Sequence, residues 1–272
     1  MKFGIIGTGT IGSLLTDVLI DSKSAKPRQL AITNRTLSKA EALKKRHPGV
    51  KICEDAKTVI RQSTLIFICV KPSDYIPLLQ SVRGIWRYEQ IAISVTSPIT
   101  TVQLEQLIPG PVIRVVPSIL NQACAGNTLV TFGSRLTDYQ KFKVWNLLNR
   151  FSRPLEIREE AIRAASDIAS CGPAFLSFAL ERMIHAATEV TPLTKKEAGA
   201  LVTDTVIGFG KLLAQGSYTL DELRARITVK GGVTGVGLNV LEASDQDVFQ
   251  TLFQETQKKF VADHQAIDPL FH

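Results

Sequence analysis

Cysteine is scarce: the chain has four, at Cys53, Cys69, Cys124 and Cys171, too few and too scattered for a secreted disulfide scaffold or a paired metal-binding spacing. They read as reduced thiols. Histidine is equally sparse, and His47, His185, His264 and His272 have no ligand-like spacing with one another or with cysteine, which argues against a metalloenzyme. No Ser, His, Asp nucleophile pattern is present either. Long hydrophobic runs are missing. The longest, such as residues 65–70, stop far short of the roughly 18 residues that a membrane span needs, and the apolar start is broken too soon by Gly7 to act as a signal peptide. A cytoplasmic protein with no membrane partner is expected. The formal charge is +7, but lysine and arginine are spread along the chain with no basic run or recognition motif, so no nucleic-acid partner is expected. A phosphorylated small molecule explains the basicity about as well.

The composition that remains, 44% apolar and 21% charged, is that of a globular chain, and short apolar segments alternate with amphipathic ones. Residues 2–6 read as a strand, 7–12 as a glycine-rich turn and 10–20 as a helix, with Ile11, Leu14, Leu15, Val18 and Leu19 at helical spacing. Residues 30–33 read as the next strand and 37–46 as a helix stopped by His47-Pro48-Gly49. Residues 51–52, a helix near 55–62, a strand at 65–70, a helix at 75–82, a strand at 91–95, a helix at 101–107 and a strand at 112–116 continue the alternation. The pattern predicts an α/β fold: a Rossmann-type, doubly wound parallel sheet covered by helices on both faces.

Beyond about residue 160 helical patterns take over, at 173–190, 195–215, 220–226 and 245–264. Pro173 suits a first helical position, and Thr194 with Glu197 makes a capping box. The first of these helices is apolar on most faces, from Phe175, Leu176 and Phe178 through Met183 and Ile184 to Val190, and must be buried from several sides. The all-helical segment could bury it alone, but pairing with a second copy of the chain is the favoured solution. The expected division is a dinucleotide-binding domain over residues 1–158 and an all-α substrate and dimerisation domain over 159–272.

Gly7-Thr8-Gly9-Thr10-Ile11-Gly12 matches G-x-G-x-x-G directly after a strand and at the mouth of a helix, where the pattern marks a dinucleotide site. Gly7 makes the turn, Gly9 admits the pyrophosphate, Gly12 lets helix and strand pack, and the helix start offers free amides to phosphate. At the end of the second strand, where NAD enzymes place an acid for the ribose 2′-hydroxyl, the chain has Asn34-Arg35-Thr36. Arg35 can grip a 2′-phosphate in a charge-assisted fork, with further donors on Asn34 and Thr36, so NADPH is favoured over NADH. Val70-Lys71-Pro72 puts a cation and a rigid turn at the carboxyl edge of the sheet. Taken alone, Arg35 could equally be a solvated loop arginine and Lys71 an exposed turn lysine.

With Cys171-Gly172-Pro173-Ala174 and Gly231-Gly232-Val233-Thr234 following these motifs in order, the chain resembles the pyrroline-5-carboxylate reductases nearly end to end. The resemblance implies an NAD(P)H-dependent oxidoreductase of proline biosynthesis that reduces the cyclic imine of pyrroline-5-carboxylate, with a Rossmann domain and a helical dimerisation domain. It further implies that Gly7, Gly9, Thr10, Ile11, Gly12, Asn34, Arg35, Thr36, Val70, Lys71 and Pro72 contact the cofactor. Lys230, Gly231, Gly232, Val233 and Thr234 would form the substrate-carboxylate loop, with Thr234 the catalytic hydroxyl beside the ring nitrogen. On the residues alone, Thr234 reads as an ordinary cap or turn residue.

The departures lie on the substrate side. The family's Arg, Met, Pro, Asn, Thr, Pro run is Arg114-Val115-Val116-Pro117-Ser118-Ile119-Leu120, and Cys171 replaces a serine. Thr228-Val229-Lys230 stands where the family has Thr-Ser-Pro, so a hydroxyl is lost and a charge gained, and Ala56 replaces an asparagine after the third strand. In these changes the chain is similar to a divergent late-competence, ComER-like branch of the family. An NADP(H)-binding regulatory paralogue with little chemistry is the alternative to a working reductase. A β-hydroxyacid dehydrogenase needs Gly-x-x-x-Lys-x-x-Asn, and Gly172-Pro173-Ala174-Phe175-Leu176 lacks the lysine.

Overall fold

The computed structural model describes residues 1–244 and 247–271. It begins β1 (Phe3–Ile6), α1 (Thr10–Asp21), β2 (Leu30–Thr33), α2 (Leu37–Arg46), β3 (Lys51–Ile52), α3 (Ala56–Gln62), β4 (Leu65–Ile68), α4 (Pro72–Ser81), β5 (Ile91–Ser94), α5 (Thr101–Leu107) and β6 (Val112–Val116). β7 (Asn127–Phe132), α6 (Asp138–Leu148), β8 (Arg153–Glu156) and α7 (Ile162–Ser166) follow. A π-helical turn over Asp167–Cys171 leads into α8 (Gly172–Val190), and the chain continues through α9 (Lys195–Ala214), α10 (Leu220–Ile227), α11 (Val233–Ser244) and α12 (Val248–Ile267).

The strands form one eight-stranded sheet in the order β3-β2-β1-β4-β5-β6-β7-β8. β1 to β6 are parallel, whereas β6 pairs with β7 antiparallel and β7 with β8 parallel. The all-parallel expectation fails at this edge because the link from Pro117 to Gly126 carries only a short 3-10 turn; a parallel return needs a longer crossover, usually a helix. Every residue of β1, β2, β4, β5 and β6 is buried, as a sheet covered on both faces requires. Phe3, Ile5, Leu15, Leu19, Phe67 and Phe151 fill one face, while Ile66, Ile68, Val59, Tyr75 and Leu104 fill the other.

A buried ion pair fastens β6 to its surroundings. Arg114, 1% exposed, donates to the Ser97 and Ile99 carbonyls at 3.0 and 3.3 Å and pairs with Glu159. Burial pushes its pKa down, and the Glu159 carboxylate opposes that shift. Asp167, also buried, accepts from Arg163 at 2.5 and 3.1 Å and from the Thr256 hydroxyl at 2.7 Å. This cluster binds the π-helical turn to α12.

By contact the chain forms two compact units, Met1–Pro173 together with the stretch from Phe253 onward, and Ala174–Leu252. The expected boundary at 158/159 falls inside the first. Ile267 and Phe271 pack into the second core cluster of that unit, and Gln103 Nε2 donates to Asp268 Oδ1 at 2.8 Å. In the helical unit, Ala198 is the one buried residue among those described. Leu176, Phe178, Met183, Leu201 and Val236 are exposed, so α8, which the sequence requires to be buried on several sides, is not buried within one chain. Residues 245 and 246, where the last helix was expected to begin, lie outside the described residues. No helix among the described residues is long and apolar enough to cross a membrane.

Candidate functional site

At the carboxyl edge of the sheet the strand order reverses between β1 and β4, the place where open α/β sheets take ligands. A groove of about 500 Å³ opens there, walled by the ends of β1, β2 and β4. The three glycines of the turn do different things. Gly7 has φ +95°, and a side chain on it would meet the Cys69 carbonyl oxygen at 2.5 Å. A Cβ on Gly12 would lie 1.9 Å from the Gly7 carbonyl oxygen, so its absence lets α1 pack against the turn. At Gly9, in contrast, a Cβ meets nothing within 4 Å, because that position faces the open groove.

The start of α1 is left available to an anion. Gly9 is the N-cap, with no side chain to cap the helix and no acid in the first turn. The Thr10, Ile11 and Gly12 amides precede the first residue that can bond back along the helix, and the Ser13 amide is the first to do so, reaching the Gly9 carbonyl at 2.9 Å. Free amides and the helix dipole together favour phosphate. A groove lined by Gly7 and Gly9, beside the uncapped start of α1, therefore fits a dinucleotide pyrophosphate.

Asn34, which lines the groove, also has a structural role. Its Oδ1 accepts from the Thr8 amide at 2.9 Å and its Nδ2 donates to the Thr36 carbonyl at 2.9 Å, so the side chain joins the glycine turn to the β2–α2 loop. One Nδ2 hydrogen and the Thr36 hydroxyl remain as neutral donors of this loop, and Arg35 supplies its charged one. The Arg35 side chain is 88% exposed and lies 3.9 Å from Asp74.

Of the residues expected at the cofactor, Gly7, Gly9, Asn34, Arg35, Thr36, Val70 and Lys71 line this groove together. Thr10, Ile11 and Gly12 stand at the helix start, and Pro72 opens α4 from behind Lys71. Sequence reasoning missed Lys39, in the first turn of α2, and the carboxylates Glu54, Asp55 and Asp74, all of which line the groove. Asp55 caps α3 by accepting from the Thr58 amide at 2.8 Å, and Thr58 holds its carboxyl below the usual range. Burial pushes the Cys69 thiol up, so this wall of the groove is an unreactive one.

Lys230, Gly231, Gly232, Val233 and Thr234 belong to the other unit. Gly231 has φ +75°, and the Gly232 amide closes a turn on the Val229 carbonyl at 2.9 Å. Val233 and Thr234, expected in a loop, are instead the first residues of α11. Gly235 and Gly237, poor helix formers, hid that helix in the sequence. The turn is open, with Val229 and Val233 71% and 88% exposed.

A doubly wound sheet with this groove at its switch point defines a nicotinamide-dinucleotide oxidoreductase fold. Comparison with known proteins places it further. Residues 159–263 match the family described as pyrroline-5-carboxylate reductase dimerisation, and residues 2–98 match NADP oxidoreductase coenzyme F420-dependent. ComE operon protein 4 of Bacillus subtilis is 44% identical over 272 residues, all of both chains. Pyrroline-5-carboxylate reductase 3 of the same bacterium is 29% identical over 263 residues, 95% of each. Among solved structures, pyrroline carboxylate reductase of Plasmodium falciparum with NADP bound superposes with a TM-score of 0.82 at 20% identity, over 100% of this chain and 98% of that one. A pyrroline-5-carboxylate reductase from Coxiella burnetii gives 0.81 at 22%, over 99% and 98%. The chain belongs to the pyrroline-5-carboxylate reductase family of NADP-dependent oxidoreductases.

Proposed function

We propose that the chain is an NADPH-dependent reductase of a cyclic imine acid, converting 1-pyrroline-5-carboxylate to L-proline as a homodimer. The groove carries this reading: a phosphate-sized opening over Gly9 leads to an exposed Arg35 at the end of β2, with no acid on that strand end. The Thr10, Ile11 and Gly12 amides would hold the pyrophosphate, Arg35 and Thr36 the 2′-phosphate, and Val70-Lys71-Pro72 the flank between them. Asn34 would act through the turn it fixes. When bound, the cofactor supplies a hydride to the imine carbon.

The protein's own contribution is orientation and one proton. Backbone amides of the Lys230–Gly232 turn and the start of α11 would receive the substrate carboxylate, aided by the Lys230 ammonium. The Thr234 hydroxyl would donate a hydrogen bond to the imine nitrogen as it becomes an amine and relay a proton to it, with a solvent proton restoring the hydroxyl. Exposed apolar side chains on α8, α9 and α11 support pairing of two copies through the part that matches the dimerisation family.

One observation favours a second reading, an NADP(H)-binding regulatory protein with little turnover. Val229 stands exposed in the turn where the family has a serine, so a donor to the carboxylate is missing. Titrating NADPH and NADH by their own fluorescence, then assaying NADPH oxidation with pyrroline-5-carboxylate, separates the two. A reductase turns over and loses activity with Thr234→Ala; a regulator binds NADPH tightly and does not turn over. Replacing Val229 and Lys230 together by Ser and Pro is expected to raise imine reduction.

A further inference from the structure

Asp74 has no place in the reading above, yet it faces the charge on which that reading depends. It sits in the first turn of α4, with Oδ1 3.9 Å from Nη1 of Arg35, and it is the one ionic partner of Arg35 among the described residues. The other carboxylates of the groove are disposed differently. Asp55 is committed to its helix cap, and Glu54, though it lines the groove, makes no ion pair among the described residues. Neither Arg35 nor Asp74 is fixed by packing, since their side chains are 88% and 42% exposed. Their pairing is therefore weak and can yield to a ligand.

A NAD site places a carboxylate at the end of the second strand, where it accepts from the ribose 2′-hydroxyl. Here that strand end is free of acid, and Asp74 brings a carboxylate to the same arginine from α4, across the groove. We propose that Asp74 is a specificity-determining residue of the cofactor groove: by holding Arg35 and presenting its own negative charge to a 2′-phosphate, it narrows the preference for NADPH over NADH. This inference rests on the cofactor reading above.

The two cofactors differ at the group in question. NADPH brings a phosphate of about −1.5 to −2 charge, which must share Arg35 with Asp74; NADH brings a hydroxyl, which a carboxylate accepts from. At a separation of about 7 Å in a water-like dielectric, one negative charge facing such a phosphate changes affinity roughly five- to tenfold at low salt. Screening at physiological salt reduces this to about two- to threefold.

Dissociation constants for NADPH and NADH, read from nicotinamide fluorescence at low and physiological salt, test the assignment on the wild-type chain, Asp74→Asn, Arg35→Ala and the double variant. Asp74→Asn should tighten NADPH roughly five- to tenfold at low salt and less at high salt, while NADH is unchanged or weaker. In the Arg35→Ala background the gain should shrink. An NADPH constant within about twofold of wild type at low salt, or equal shifts for both cofactors, overturns the role of Asp74. Arg35→Ala tests the underlying reading separately. If it leaves NADPH binding intact, or the wild type binds neither cofactor, that reading fails and the inference with it. If Arg35→Ala weakens NADPH while Asp74→Asn does nothing, the inference alone fails. Asp74→Ser, which keeps a polar group in the first turn of α4, serves as a second variant should Asp74→Asn fold poorly.

Discussion

Alanine at Gly9 and alanine at Gly12 should behave as opposites, although both add one methyl group to the same turn. Gly9 has φ −72° and ψ −160°, a backbone open to any residue, and a Cβ there meets nothing within 4 Å. Gly9→Ala should change the stability of the folded protein by no more than about 1 kcal/mol in either direction, since the unfolded chain loses freedom while alanine is the poorer N-cap. The new methyl group projects into the space over the amides of α1. It should displace a phosphate from at least one charge-assisted hydrogen bond, at a cost of about 1.5–3 kcal/mol, or roughly 10- to 150-fold in the NADPH dissociation constant. Gly12→Ala drives its Cβ to 1.9 Å from the Gly7 carbonyl oxygen and 3.3 Å from Cys69 Cβ, and the nearer atom is backbone that cannot rotate away. Overpacking of that kind costs about 1–3 kcal/mol or more, so stability and affinity should fall together. Urea unfolding of the ligand-free variants and fluorescence titration with NADPH measure the two quantities independently. Wild-type NADPH affinity in Gly9→Ala would refute the placement of the pyrophosphate over this turn.

Removing Glu159 should destabilise the fold by about 2–4 kcal/mol, because breaking a buried ion pair strands the remaining charge; Glu159 is 32% exposed, so water can replace part of what Arg114 loses. Urea midpoints should show most of that stability returning in Arg114→Met with Glu159→Ala, and a double variant as unstable as the single one would contradict this. Thr58 holds the Asp55 carboxyl below its usual value, so the stabilisation it gives is complete above the unfolded value of about 3.9 and fades as pH falls through the lower native one. The difference in urea midpoint between wild type and Asp55→Ala should accordingly be present at neutral pH and shrink in acid; a difference that grew in acid would mean the carboxyl is not held down. Thr234→Ala should lower turnover without changing NADPH affinity, because the hydroxyl is assigned to the imine nitrogen and not to the cofactor phosphates. Loss of NADPH binding in that variant, by the same titration, would remove Thr234 from the substrate side.

What was legible in the sequence was what a local pattern encodes. Strands and helices such as Leu30–Thr33, Leu37–Arg46, Thr101–Leu107 and Val112–Val116 form where apolar spacing and stop signals place them. The glycine turn was readable because each glycine answers a backbone demand within a few residues. Features that depend on distant partners were not readable. Arg114 and Glu159 meet across 45 residues of sequence, and nothing near Asp74 announces that it will face Arg35. That Asn34 ties the glycine turn to the β2–α2 loop was hidden because the donor its Oδ1 accepts from, the Thr8 amide, lies 26 residues earlier. α11 escaped notice for the opposite reason: its local signal is weakened by Gly235 and Gly237, and helical structure prevails there over propensity. β7, α6 and β8 also went unread, and with them the reversal of direction at the sheet edge.

The helical unit is an excursion within the chain of the nucleotide-binding unit, which resumes at Phe253 and receives Ile267 and Phe271 into its core. During synthesis, therefore, the nucleotide-binding unit cannot be finished when its last strand emerges from the ribosome. The pocket that awaits Ile267 stays open to solvent while the intervening helices are made, and Asp268 arrives later still to meet Gln103. A chain interrupted within the helical unit would carry the whole glycine turn on an incomplete core.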